Sequence, residues 1–290
     1  MTRRILLVTA LFACIQTAVP ADSLIATIPI KLQHNRFLLA GTVNEKGPYS
    51  FLLDSACTIP TIHPTLVDEL KLEASGRVRI NGIAGVERAP TFRDVTLQFG
   101  EAAYKPRRVA SIQSEREHSR RRDGVVGSGF FETFVVEFRP SEKVLHVYRP
   151  ADYEYSGKGK VVSLRMRQEI PVVEAAVVME DGSILAGDFE VDTGCDSGVC
   201  FGEAFVKKNN LVEKFGGKQS EKFGIGGSVE TVDARIPMFR IGDKTFKNSQ
   251  ADLFLDGSPV DDALAGHIGM GVLGKAAIII DYARKRIIFE

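Results

Sequence analysis

A single internal repeat constrains this 290-residue chain more than any other feature. Phe51-Leu52-Leu53-Asp54-Ser55-Ala56-Cys57 aligns with Phe189-Glu190-Val191-Asp192-Thr193-Gly194-Cys195: an acid ends an apolar strand and is followed by a small hydroxyl residue and a tiny one. Two further landmarks keep the order. Gly82-Ile83-Ala84-Gly85 follows the first acid by 28 residues, and Gly224-Ile225-Gly226-Gly227 follows the second by 32. Val125-Val126-Gly127 and His267-Ile268-Gly269 come next, with 45 residues between the glycines Gly82 and Gly127 and again between Gly224 and Gly269. A spacing kept across three landmarks is the mark of a duplicated lobe.

Each copy closes on two short runs rich in Val, Ile and Phe around a turn. These are Phe134–Phe138 with Val144–Val147, and Ile278–Tyr282 with Arg286–Phe289. This is strand and hairpin chemistry, so the chain is expected to be mainly β. Helical spacing of apolar residues is confined to 64–72 and 204–215, each about ten residues past its acid motif. The polar, glycine-containing stretch 149–160 reads as the linker. The expected lobes are 24–150 and 160–290.

The N-terminus has the secretory pattern: Arg3 and Arg4, an apolar run Ile5–Ile15, then Val19-Pro20-Ala21 as a small-residue cleavage site. Residues 1–21 are therefore expected to be a signal peptide, with the mature protein secreted or periplasmic. The alternative is a lipoprotein anchored at Cys14, in the sequence Leu11-Phe12-Ala13-Cys14. No later stretch approaches the roughly 20 apolar residues of a spanning helix, so no stable membrane span is expected. Lys plus Arg and Asp plus Glu both total 37. That balance offers no footprint for nucleic acid.

Neither C-x-x-C nor H-E-x-x-H occurs, and the five histidines are scattered, so no metal site and no cofactor are expected. Cys195 and Cys200 form C-x₄-C, a spacing compatible with a small disulfide. Cys57 and Cys195 read as buried small side chains. Gly269-Met270-Gly271-Val272-Leu273-Gly274-Lys275 satisfies two nucleotide-binding strings, but Ala276 follows the lysine and too little chain remains for a βαβ unit. Ser128 lacks the glycine context of a nucleophile elbow and reads as structural. The run 115–123, with Arg116, Arg120, Arg121 and Arg122, reads as a solvated loop.

A duplicated lobe places two copies of one residue face to face across a pseudo-twofold axis. The copied acids Asp54 and Asp192 are the expected pair. Two carboxyls a few ångströms apart share a proton, which suits them to hold a water, deprotonate it and donate to a substrate carbonyl. Ser55 and Thr193 offer hydroxyls to tie the acid loops together, and Gly194 allows close backbone approach to a carboxylate.

These residues resemble the pepsin-like and retropepsin-like aspartic proteases, especially bacterial bilobal retropepsin-like proteins with a signal peptide. Asp192-Thr193-Gly194 matches the family's D-[TS]-G motif in full, and Asp54-Ser55-Ala56 departs at its third position. The resemblance implies two tandem acid-protease lobes of retropepsin/pepsin-like β-barrel type and a polypeptide substrate. It also implies supporting loops at Val125–Gly127 and His267–Gly269, and flap tips at Gly82–Gly85 and Gly224–Gly227. A chain that holds both halves of the site has no catalytic need to dimerise, so a monomer is expected. The alternative function, motivated by Ala56, is a catalytically inactive peptide-binding module of the same fold.

Overall fold

The computed structural model describes residues 23–113, 122–257 and 260–290. The expected signal peptide, its cleavage site near Ala21 and Cys14 lie outside the described residues, as do Arg116, Arg120 and Arg121.

The duplication appears in the sheet order. The first lobe runs in space Leu24–Gln33, Arg36–Val43, Lys46–Leu53, Gly124–Val126, Thr61–Ile62, Val109–Ser111, Gly85–Phe92, Gly76–Gly82. The second runs Arg165–Arg167, Ile170–Val178, Ile184–Val191, Gly266–Ile268, Val199–Phe201, Lys244–Phe254, Gly227–Ile241, Lys218–Gly224. The two orders match strand for strand, and so do the directions. Each acid-bearing strand pairs in parallel with the strand of the apolar-apolar-Gly landmark. That strand pairs antiparallel with the short strand after the acid loop. The short strand in turn runs parallel to its next neighbour.

Alternation explains why these segments are strands. In Leu24–Gln33, residues Ala26, Ile28 and Ile30 face inward, and in Arg36–Val43 it is Phe37, Leu39 and Val43. Each lobe packs aromatic rings edge to face in its interior. Phe51, Phe99 and Phe130 do so in the first lobe, and Phe189, Phe201 and Phe239 in the second. Each ring so buried contributes about 1.5–3 kcal/mol over an exposed one.

The closing hairpins of the two lobes join. Val135–Arg139 pairs antiparallel with Ile278–Asp281, placing Val136 opposite Ile280, Glu137 opposite Ile279 and Phe138 opposite Ile278. Gly127 and Gly269 are 142 residues apart, and the same separation relates Glu137 to Ile279, the central pair. The pseudo-twofold axis therefore passes between Glu137 and Ile279, and the seam repeats itself on either side as an isologous contact does. Leu24–Gln33 flanks one end of the seam sheet and Lys160–Ser163 the other.

The stretch 149–160 is not a free tether. Tyr153 is fully buried against Val135, Tyr148, Ile279 and Ile288, and the Tyr155 hydroxyl accepts from Gly159 N. The two tyrosines carry apolar surface that an otherwise polar composition conceals.

The fold is mainly β, with short helices Pro64–Leu70, Ser128–Thr133, Glu203–Asn209, Leu211–Phe215 and Met270–Leu273. Among the described residues no helix is long and apolar enough to cross a membrane.

Candidate active site

The acid loops leave their strands in the same way. Asp54 N donates to Val126 O and Asp192 N to Ile268 O, both at 2.9 Å, so each landmark strand carries its acid loop. Each carboxylate then turns back on its own loop. Asp54 Oδ1 accepts from Ala56 N at 2.9 Å. Asp192 Oδ1 accepts from Gly194 N at 2.8 Å and Cys195 N at 3.1 Å. The glycines that end the landmarks have a steric reason: a Cβ at Gly127 would overlap Cys57 O, and one at Gly269 would overlap Ser197 O.

Four hydrogen bonds lock the loops together across the axis. Ser55 Oγ donates to Val191 O at 2.6 Å and accepts from Thr193 N at 3.0 Å. Thr193 Oγ1 donates to Leu53 O at 2.9 Å and accepts from Ser55 N at 3.0 Å. Both hydroxyl residues are fully buried. The sequence suggested such a tie, and the structure adds a fifth bond, Tyr282 Oη donating to Ser55 O at 3.1 Å. No motif marks Tyr282, a phenol at the end of an apolar hairpin.

The lock sets Asp54 and Asp192 side by side, close enough for each to act on the other's proton. Both are partly exposed at the surface of the loops and otherwise enclosed by protein. Burial raises the Asp54 carboxyl above its ordinary range, opposed by the Ala56 amide and by the charge of Arg122. Burial, together with the neighbouring Asp54, raises Asp192 well above that range. Like charges this close cannot both be ionised at modest pH, so the pair retains a proton. Gly194 lies directly on Asp54, where a Cβ would overlap the Asp54 carboxylate.

The two glycine-rich segments are hairpin tips, with Gly82 paired to Gly85 and Gly224 to Gly227. They cross. Ala84 N donates to Ile225 O at 3.2 Å, and a Cβ at Gly82 would overlap Ile225 O. Gly226 takes φ +90°, and a Cβ there would lie 2.6 Å from Gly85 N. Each tip lands on the opposite lobe. Ile83 and Ala84 pack with Cys195, Cys200, Val229 and Phe254, while Ile225 packs with Ile59, Ala110 and Ile112. Ile225 also closes a pocket over Thr61, His63, Arg122 and Val125. The tips thus pack beside the acid loops, Ile83 and Ala84 near Cys195 and Ile225 near Ile59. Arg122, which the sequence placed in a solvated loop, lies close enough to act on Asp54.

The cysteines part company. Cys57 Sγ donates to Ile59 O at 3.0 Å and its surroundings push its thiol up, although the residue is half-buried and not the fully buried side chain the sequence suggested. Its copy Cys195 lies beside Cys200 and the His267 ring. The Cys200 hydrogen bond holds the Cys195 thiol well below its usual range. Although burial opposes the charged ring, Cys195 holds His267 up to about 9. Cys57, Cys195 and Cys200 are all free thiols. Ser128 is buried at the start of a helix with its N–H on Cys57 O, a structural position. The Met270–Leu273 turn, inside the nucleotide-like string, is likewise packed in the core.

Residues 39–130 match the pattern of the Aspartyl protease family. A comparison with curated proteins gave no match. Among solved structures, the aspartic proteinase from Irpex lacteus superposes with a TM-score of 0.59 at 14% identity, over 91% of this chain and 96% of that one. That likeness concerns the fold, and it spans both lobes. The family's sequence pattern across the first acid loop and flap, and the fold of an aspartic proteinase across both lobes, make this chain similar to the aspartic proteases.

Proposed function

We propose that the protein is an aspartic endopeptidase that hydrolyses peptide bonds with a water activated between Asp54 and Asp192. The carrying observation is the pair of carboxyls held together by the four-bond lock, with burial raising both. An ionised member takes a proton from the water while the protonated member donates to the substrate carbonyl, general base and general acid in one step without a covalent intermediate. Ser55, Ala56, Thr193 and Gly194 position the dyad and do not react. The crossed tips, residues 82–85 and 224–227, hold an extended polypeptide against it.

No metal or cofactor takes part in this scheme. The lobes are 24–150 and 160–290, the chain works as a monomer, and it acts outside the cytoplasm after cleavage near Ala21. A lipoprotein anchored at Cys14 is the alternative route to the same compartment.

Asp54→Asn and Asp192→Asn, made separately and assayed on denatured protein from acidic to neutral pH, test the mechanism. Each is expected to lower kcat/KM by at least 10³-fold, about 4 kcal/mol of transition-state stabilisation. An inactive native protein, or full activity in either variant, sinks it. The second reading, a peptide-binding module without turnover, rests on Ala56. It would be supported by tight peptide binding without cleavage together with activity gained in Ala56→Gly.

A further inference from the structure

The duplication supplies its own control, because any residue in one lobe can be compared with the residue at the same register in the other. In the first lobe Thr61 stands opposite Val125 on one side and Ala110 on the other. In the second lobe the same register holds Cys200, opposite His267 and Asp252. Cys57 and Cys195 are copies. One small neighbourhood thus reads Cys, Thr, Val, Ala in the first lobe and Cys, Cys, His, Asp in the second. Three donor groups have gathered around one thiol at positions that the fold fills perfectly well with apolar or hydroxyl residues.

Their geometry is that of a ligand set. Cys195 Sγ and Cys200 Sγ lie 3.6 Å apart. Zinc–thiolate bonds of about 2.3 Å in a tetrahedron place two sulfurs about 3.8 Å apart, close to this separation. The three donor atoms of Cys195, Cys200 and His267 all lie within 4.8 Å of one another. The frame is rigid. Cys200 and His267 are directly opposed on paired strands, which puts their side chains on one face. The Cys195 loop is fastened by Met270 N donating to Cys195 O at 2.9 Å.

Asp252 is buried beside them, with Oδ2 at 3.5 Å from Cys200 Sγ. Its carboxylate already accepts from Ser197 Oγ and pairs with Lys222 Nζ at 3.0 Å. It therefore supports the Cys200 ligand from behind and leaves the fourth position to water. Cys195 and His267 are partly exposed, so an ion has a way in.

We propose that Cys195, Cys200 and His267 form a binding site for a zinc-type divalent ion, built only in the second lobe. Binding joins M²⁺ to two thiolate sulfurs and one imidazole nitrogen, with up to two thiol protons released to solvent. The ion ties the Asp192 loop, through Cys195, to the strands Val199–Phe201 and Gly266–Ile268. Sequence spacing concealed it: the ligands are neighbours through strand register and do not follow a short motif.

The test uses the full chain, fully reduced under anaerobic conditions, and does not depend on its being a peptidase. Titration with Co²⁺ is expected to give a thiolate-to-cobalt charge-transfer band in the near ultraviolet that saturates at one equivalent. One equivalent of Zn²⁺ should bleach it and raise the thermal midpoint by a few degrees. Cys200→Thr and His267→Val, which install the first lobe's residues, should each lose the band, while Cys57→Ser keeps it. Folded, reduced wild-type protein that gives no band would overturn the site. So would a band that survives in His267→Val. A Cys195–Cys200 disulfide that resists reductant until the protein unfolds would overturn it too, by assigning the two sulfurs to each other.

Discussion

Replacing Thr193 by valine keeps the branched shape of the side chain and removes one hydroxyl from the buried lock between the acid loops. Two groups then lose their partner: the Leu53 carbonyl, which accepts from Thr193 Oγ1, and the Ser55 amide, which donates to it. Both belong to buried residues, so neither recovers water in compensation. An orphaned buried polar group costs about 1–3 kcal/mol, which puts the expected loss at about 4 kcal/mol for the pair. Ser55→Ala orphans the symmetric groups, Val191 O and Thr193 N, and should cost about the same. With a urea dependence of about 3 kcal/mol/M, each substitution moves the unfolding midpoint down by about 1.3 M. Far-ultraviolet circular dichroism reads it, since the chain has no tryptophan. The two hydroxyls share no partner but hold one interface. If the first substitution already frees the loops, the double variant should fall short of the sum by about 0.5–3 kcal/mol. A midpoint that moves by less than about 0.2 M in both single variants, under 1 kcal/mol on the same scale, would mean that the lock is not formed in solution.

Further predictions follow from the same loops. Gly194→Ala sets a methyl against the Asp54 carboxylate, and relieving the overlap moves that group by about 1 Å, given optimal carbon contacts of about 3.5–4 Å. A displacement of that size costs about 10²-fold in kcat/KM, and wild-type turnover in the folded variant would refute the close approach. Asp54→Asn also tests the burial of the dyad through stability. Because the folded state raises the Asp54 carboxyl, the folded chain holds that proton more tightly than the unfolded one does. The native contribution of Asp54 therefore declines as pH rises above the ordinary carboxylate value of about 3.9. The thermal midpoint of Asp54→Asn should gain on that of the wild type between about pH 3 and pH 7. A constant difference, or one that shrinks, would show that Asp54 is well hydrated.

The duplication was readable because both acids, the outer glycines of both tips and the glycine that ends each supporting landmark kept their residue types. They are the positions where backbone contact leaves no room for change. Gly82, Gly127 and Gly269 each meet a carbonyl where a side chain would go, and glycine at such points survives in sequence as a spaced signal. The seam sheet was half legible: its hairpins read clearly as strands, while their pairing across the lobes did not, because Val, Ile and Phe specify a strand but not its neighbour. Tyr282 and Tyr153 were missed for a related reason. Each acts through buried contacts made by tertiary packing, and nothing in the residues beside them announces these. His267 was visible only as the first residue of a landmark; its meeting with Cys195 and Cys200 needs the register of three chain segments.

Ala56 is the point at which the acid motifs themselves differ. An extra methyl on an acid loop has two ways to do damage, by pushing the loop out of place or by crowding the opposite carboxyl. The first is answered by the hydrogen bonds around it. Ala56 N reaches Asp54 Oδ1 at 2.9 Å, matching Gly194 N to Asp192 Oδ1 at 2.8 Å, and all four bonds of the lock are present. The loop has kept its place. The second concerns the opposite acid, Asp192, which burial and the neighbouring Asp54 hold well above the ordinary carboxylate range. The proposed chemistry needs one member of the pair protonated, and Asp192 is the one driven that way. That leaves Asp54, with the Ala56 amide and Arg122 favouring its charge, as the member better suited to take the proton from water.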